Sequence, residues 1–250
     1  RIKDPFNWDA VCVEPAGGVN GPQWMQETMG WSYCEKQPLI QSRVGLTVNT
    51  WTGNGLYSKD GGATWTPFAD FPVTHQKSIR DCTGKVTVAA DVNNDGNPTI
   101  LINTIVWDEK TLPGRVWRST DMGENWEPVD TLPLNMIKRW IHNNEPIAAD
   151  KVNKDVFYAY DSDTGNFYNS VDNGVTFNIV NSELPVGDYY STVTSVPEKE
   201  GHIFVSISGS GLWYSSDYGR KFVKIEQVEH SKFFDLGKKA PCSEESTMYV

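Results

Sequence analysis

Apolar and polar positions alternate with a period of two along most of this chain, and no stretch shows the 3.6-residue recurrence of a long amphipathic helix. Lys85-Val86-Thr87-Val88-Ala89-Ala90 with Thr99-Ile100-Leu101-Ile102 is one such β-rich run. Asp155-Val156-Phe157-Tyr158-Ala159-Tyr160 and His202-Ile203-Phe204-Val205-Ser206-Ile207 are two others. Each run precedes a second pattern, Ser-x-Asp-x-Gly-x-x-aromatic, which occurs four times. Its instances are Ser58, Asp60, Gly62 and Trp65; Ser119, Asp121, Gly123 and Trp126; Ser170, Asp172, Gly174 and Phe177; and Ser215, Asp217, Gly219 and Phe222. The serines are spaced by 61, 51 and 45 residues, the size of one propeller blade. Each instance has the same grammar. A strand enters, Asp-x-Gly turns with Gly free to take positive φ, and the aromatic opens the return strand. Ser and Asp supply oxygens for the amides of the turn.

The pattern predicts an all-β chain, a β-propeller of four-stranded antiparallel blades, with four to five blades in these 250 residues. Residues 1–42 carry Pro, Gly, Trp and two cysteines with little alternation and read as a loop-rich lead-in; 43–250 read as Asp-box blades. No low-complexity linker interrupts the chain, so 1–250 is read as a single, incomplete propeller domain.

Composition narrows the function. The chain has 32 Asp and Glu against 22 Lys and Arg, and its basic residues are scattered, so the electrostatic footprint expected for nucleic acid or an anionic membrane is missing. No apolar run reaches membrane-spanning length. No cofactor motif is present. Ten Trp, ten Tyr and ten Phe suit sheet packing and also sugar-binding clefts, where a ring face stacks on a pyranose. Cys12, Cys34, Cys82 and Cys242 contain no Cys-x-x-Cys pair, which argues against zinc. Their even number favours an oxidising, extracellular compartment, with Cys12–Cys34 and Cys82–Cys242 as the expected disulfides.

Asp60, Asp121, Asp172 and Asp217 recur equivalently on every blade, whereas acid–base catalysis needs differentiated carboxylates at one site. They are read as scaffold. Asp91-Val92-Asn93-Asn94-Asp95-Gly96 begins like a calcium loop, but Ile102 stands where the bidentate Glu belongs, so a β-turn is expected. His75, His142, His202 and His230 form no metal-ligand or triad pattern. Function on such scaffolds is usually carried by loops. The polar–aromatic stretches between blades include Trp51, Asp161-Ser162-Asp163 and Asp188-Tyr189-Tyr190, and among them Trp107 and Trp140 are the sugar-platform candidates.

Ile147-Ala148-Ala149-Asp150-Lys151-Val152-Asn153, then Phe157-Tyr158-Ala159-Tyr160-Asp161 and Gly165-Asn166-Phe167-Tyr168, resemble the second propeller of the glycoside hydrolase family 74 xyloglucanases. Val193-Thr194-Ser195-Val196-Pro197-Glu198-Lys199-Glu200-Gly201 leading into Gly211-Leu212-Trp213-Tyr214-Ser215-Ser216-Asp217 is similar too. The resemblance covers roughly residues 43–250. It implies secreted enzymes with two seven-bladed propellers that cut β-1,4-glucan backbones, typically xyloglucan, with inversion. One catalytic Asp lies on each propeller, across a cleft. By that resemblance this chain is a portion of the second propeller, to be completed by another propeller segment or copy. The family's catalytic Asp would fall within Arg1-Ile2-Lys3-Asp4-Pro5; an ungapped match puts Ile2 there and a short deletion brings Asp4 to it. The rival reading is a non-catalytic extracellular propeller that binds glycan or builds an assembly, with an intracellular assembly-factor propeller third.

Overall fold

A computed structural model describes residues 25–47, 53–69, 71–72, 84–105, 114–137, 144–187, 190–231, 234–237 and 247–249. Asp4, Cys12, Cys82, Trp107, Trp140 and Cys242 lie outside the described residues. The first blade contains β1 (Met25–Tyr33), β2 (Gln41–Thr47), β3 (Gly53–Ser58) and β4 (Thr66–Pro67); β1 and the start of β2 fall within the 1–42 stretch. The second contains β5 (Lys85–Val92), β6 (Pro98–Asn103), β7 (Val116–Ser119) and β8 (Glu127–Pro128). The third has β9 (Ile147–Ala149), β10 (Phe157–Tyr160), β11 (Phe167–Ser170) and β12 (Asn178–Asn181). The fourth has β13 (Ser191–Ser195), β14 (Ile203–Ile207), β15 (Gly211–Ser215) and β16 (Val223–Lys224). A two-stranded sheet, β17 (Asp235–Gly237) with β18 (Thr247–Tyr249), follows. Every blade is an antiparallel meander. The blades form a β-propeller, as the repeats predict.

First strands touch first strands: β1 contacts β5, β5 contacts β9 and β9 contacts β13. These strands therefore lie innermost, and the short fourth strands lie outermost. The burial pattern follows. All six residues of β6 and all four of β10 are buried, because each is covered on both faces by a neighbouring blade. Alternation then divides their side chains. Phe157 and Ala159 join Leu101 and Val116 between the second and third blades, whereas Tyr158 and Tyr160 join Ile203, Val205 and Ile207 between the third and fourth. Complete burial of a side chain such as Phe157 contributes about 1.5–3 kcal/mol.

The Asp boxes are the turns from third to fourth strands, and their hydrogen bonds repeat. In the second blade Ser119 Oγ donates to Asp121 Oδ1 at 2.8 Å and accepts the Gly123 N–H at 2.9 Å. Asp121 Oδ1 also accepts the Asn125 N–H at 3.0 Å. The corresponding Ser-to-Asp bonds at Ser58, Ser170 and Ser215 measure 2.8, 2.7 and 2.9 Å. Two successive residues take positive φ in each turn, as with Met122 at 59° and Gly123 at 80°. Trp65 and Phe177 are buried, while Trp126 and Phe222 are half-buried.

The second, third and fourth boxes also lean on the blade before them. A Cβ on Gly123 would lie 2.2 Å from Phe68 Cδ1, and one on Gly219 would lie 2.3 Å from Phe167 Cε1. The box aromatics follow: Trp126 meets Phe68 edge-on at 5.3 Å and Phe222 meets Phe167 at 4.9 Å. Polar contacts cross the same junctions. The residue preceding one box serine caps a carbonyl in the next box: Arg118 Nε donates to Asn173 O at 2.8 Å, and Asn169 Nδ2 to Tyr218 O at 3.1 Å. A buried carboxylate makes a further tie. Asp150 accepts the Val152 and Asn153 N–H groups, the Tyr158 hydroxyl at 2.7 Å and, from the fourth blade, the Gly201 N–H at 2.9 Å.

Cys34 corrects one expectation. It is a free thiol, not half of a Cys12–Cys34 disulfide. The side chain is fully buried among Ile40, Val44, Val88 and Ile100, where its S–H donates to Ala90 O at 3.4 Å. It packs as a small apolar residue at the junction of the first two blades, and burial pushes its thiol pKa up.

Two predictions follow from this packing. Gly123→Ala should cost on the order of 2–4 kcal/mol, combining left-handed backbone strain with overpacking against Phe68. Gly96→Ala, at φ 81° with open space around it, meets only the backbone strain, so its loss of denaturation midpoint should be clearly smaller. The second concerns acid. Asp60 is held down to about 2, first by the Thr64 hydroxyl, then by the Thr64 N–H and Ser58. For Asp121, Asp172 and Asp217 burial is the largest influence and acts upward, but the turn's hydrogen bonds together outweigh it, leaving each carboxyl below its ordinary value. Folded values below the unfolded one, about 3.9, mean that this stabilisation is present above that pH and is lost as pH falls toward 2. Calorimetry should show the melting temperature dropping below about pH 4, with a shallower drop in Asp121→Asn.

Candidate functional site at the end opposite the Asp boxes

In a four-stranded meander the first and third strands run the same way. The turns after β1, β5, β9 and β13 therefore share one end of the propeller with the Asp boxes. The loops from second to third strands, and the connectors between blades, share the other end. In sequence the designated stretches fall between the strands that these loops and connectors join: Trp51 between β2 and β3, 105–108 between β6 and β7, 139–142 between β8 and β9, 161–163 between β10 and β11, and 188–190 between β12 and β13. Topology thus separates the scaffold turns from the variable loops.

The described parts of this end are built from polar anchors. Ile105 and Ile137, the described residues nearest Trp107 and Trp140 in sequence, pack together with Met29 as a small buried cluster. Gly114 and Asn135 are paired: the Gly114 N–H donates to Asn135 Oδ1 at 2.8 Å and the Asn135 N–H to Gly114 O at 2.7 Å. Asn144 is buried, donating from Nδ2 to Met136 O at 3.2 Å and accepting the Ser191 hydroxyl at 2.7 Å. Glu145 follows, with Lys85 Nζ 3.1 Å from its Oε1. On the third blade Asp161 is buried and closes its own loop, accepting the Asp163 N–H at 3.0 Å and the Thr164 hydroxyl at 2.6 Å. The Tyr160 hydroxyl donates to Pro185 O, and burial, followed by the charge of Asp161, pushes its pKa up.

Several sequence candidates are thereby placed. The box residues form turns at the far end, each carboxylate spent on its own amides. Asp161 and Ser162 are buried loop supports. The 91–96 segment ends β5 and carries the turn into β6: Gly96 has φ 81° and Asp95 accepts the Asn97 N–H at 3.1 Å. Among the described residues no group of His, Cys, Asp and Glu could hold a metal ion. Lys85, Asn144 and Glu145 were not singled out by sequence reasoning. The available signal was a lysine opening an otherwise apolar strand and a polar Asn-Asn-Glu immediately before Pro146 and β9.

Comparison with known proteins agrees with this architecture. The BNR/Asp-box repeat family matches residues 56–67, the first box hairpin. The Xyloglucanase Xgh74A of Acetivibrio thermocellus is 29% identical over 222 residues, which cover 88% of this chain and 23% of that protein. The oligoxyloglucan-reducing end-specific xyloglucanase of Emericella nidulans is 26% identical over 276 residues, covering 100% of this chain and 32% of that protein. The chain folds as an Asp-box propeller and is similar in sequence to these xyloglucanases. The chain thus spans between about a quarter and a third of the length of these relatives. The crystal structure of the Niastella koreensis GH74 enzyme superposes with a TM-score of 0.69 at 24% identity, covering 90% of this chain and 29% of that one, and agrees in fold.

The separation of the two ends is testable. Asp121→Ala should destabilise by about 1–3 kcal/mol through unpaired turn amides. In protein that still folds, any glycan affinity should equal that of the unaltered chain. A lost affinity at unchanged melting temperature would place the boxes in the binding site.

Proposed function

We propose that this chain is a portion of a secreted glycoside hydrolase acting on β-1,4-glucan of the xyloglucan type, with its sugar-binding surface at the end opposite the Asp boxes. The observation that carries the reading is the similarity to xyloglucanases along 88–100% of the chain. The topology is compatible with it, since the aromatic candidates Trp107 and Trp140 fall in sequence between strands, β6 and β7 and β8 and β9, whose joined ends lie at that end. An exposed ring in such a loop contributes binding through its face and needs no carboxylate.

Chemistry requires more. Inverting hydrolysis uses a general acid and a general base about 6.5–9.5 Å apart, with water between the base and the sugar. By the family resemblance, with the short deletion that brings it into register, Asp4 supplies one carboxylate of this pair, and the family's first propeller supplies the other. One member alone forfeits roughly 10²–10⁴-fold in rate from the missing group. The 250-residue chain by itself therefore binds xyloglucan without turning it over. A non-catalytic glycan-binding propeller is the alternative, and the two differ in whether a parent protein containing both propellers is active.

The purified chain should release no new reducing ends from xyloglucan or mixed-linkage glucan. Turnover abolished by Asp4→Asn would overturn this expectation and make Asp4 catalytic, and turnover unaffected by it would assign the chemistry to another carboxylate. Trp107→Ala and Trp140→Ala should each weaken xyloglucan binding, by about 0.5–1.5 kcal/mol per lost ring contact, as read by affinity electrophoresis.

A further inference from the structure

Glu145 joins three blades at the end of the propeller away from the Asp boxes. Its N–H donates to Ser191 O at 2.8 Å and its carbonyl accepts the Val193 N–H at 2.9 Å, fastening it to the start of β13. Its side chain turns the other way, to Lys85 at the start of β5, with Nζ 3.1 Å from Oε1. The two partners are unequally exposed: the Lys85 side chain is 9% exposed and that of Glu145 is 52%. The ammonium is thus an internal support, and the carboxylate faces outward with Oε2 without a hydrogen-bond partner among the described residues.

A merely structural tie accounts poorly for this choice. Ile147, two residues after Glu145, belongs to an apolar core cluster with Val116 and Met136. In such surroundings a charged pair costs desolvation, and well-packed apolar residues generally serve stability equally well or better. Polarity extends deeper still. Asn103, opposite Lys85 in the β5–β6 register, is fully buried, with neither Oδ1 nor Nδ2 partnered among the described residues. What the pair does provide is an ionised carboxylate of fixed orientation at the mouth of the inner strands. Its charge is balanced by Lys85, so it suits a neutral polyol better than an anion or a cation. A charge-assisted hydrogen bond from a sugar hydroxyl to such an oxygen is roughly twice as strong as a neutral one. Glu145 is also five residues from Trp140 in sequence, so one connector carries both an aromatic ring and an acceptor. Sugar sites generally need both, an apolar platform and a few placed polar groups.

We propose that Glu145 accepts hydroxyls of a backbone glucose unit through Oε2, and that Lys85 is the positioning residue that orients it. The proposal rests on the reading that this end of the propeller binds xyloglucan. Titration calorimetry with xyloglucan oligosaccharides tests it on the full chain, with folding followed by circular dichroism and thermal melting. Glu145→Gln should weaken binding about tenfold. Because that change strands the Lys85 ammonium, the double variant Lys85→Met/Glu145→Gln is measured beside it. It should show the same loss of affinity while melting at or above the single variant. Full affinity in either folded variant overturns the assignment and leaves Glu145 as a tie between blades, with xyloglucan binding itself intact. Failure of the unaltered chain to bind xyloglucan oligosaccharides overturns the binding reading, and this assignment with it.

Discussion

The structure depends above all on one short hydrogen-bonded unit, in which a serine hydroxyl and an aspartate carboxylate take up the amides of a tight turn. That unit would be ordinary if its effects stayed local. Gly123 and Gly219, however, have no side chain where Phe68 and Phe167 of the preceding blade press in. A turn that holds two consecutive residues at positive φ thus creates the hollow that receives a neighbour's ring. The backbone conformation and the inter-blade contact are one constraint.

This division of labour leaves the other end free. Box carboxylates committed to turn amides are poor candidates for chemistry, and their depressed proton affinities express that commitment. At the opposite end the polar groups are arranged differently. Asn144, Ser191, Glu145 and Lys85 link consecutive blades through side chains of different types, with no repeat from blade to blade. Repetition marks scaffold and its absence marks the variable surface, a distinction that follows from what a ring of equivalent hairpins can do.

The blades were legible in the sequence because each carries its own signal: alternation in the strands, Ser-x-Asp-x-Gly at the turn, an aromatic at the return. Other features were hidden because they join residues distant in sequence. Nothing near Arg118 announces that its guanidinium caps Asn173 O, fifty-five positions on. The Lys85–Glu145 pair, sixty positions apart, is equally silent until the blades are stacked. Cys34 misled for a related reason. An even cysteine count suggested pairing, whereas a small buried side chain in a mixed apolar cluster is satisfied as a thiol. The first strand was obscured by its composition, since Met25–Tyr33 has little of the alternation that marks β6 or β14. Of the sequence-designated site residues, the boxes were recognisable by recurrence. Trp107, Trp140 and Asp4 rest on loop position and family resemblance.

In the second and third blades the residue ahead of the box serine reaches the following box, and this has an evolutionary consequence. Arg118 to Asn173 and Asn169 to Tyr218 are the same contact made one blade apart with different donors. The third blade therefore carries both halves of its own coupling, the Asn169 donor that faces forward and the Asn173 carbonyl that faces back. Duplicating such a unit in the gene yields a copy whose two sides already match its parent and its parent's neighbour. Rings of this kind can lengthen by whole blades without inventing a new interface, and the side chains at the coupling can then drift as long as a donor remains.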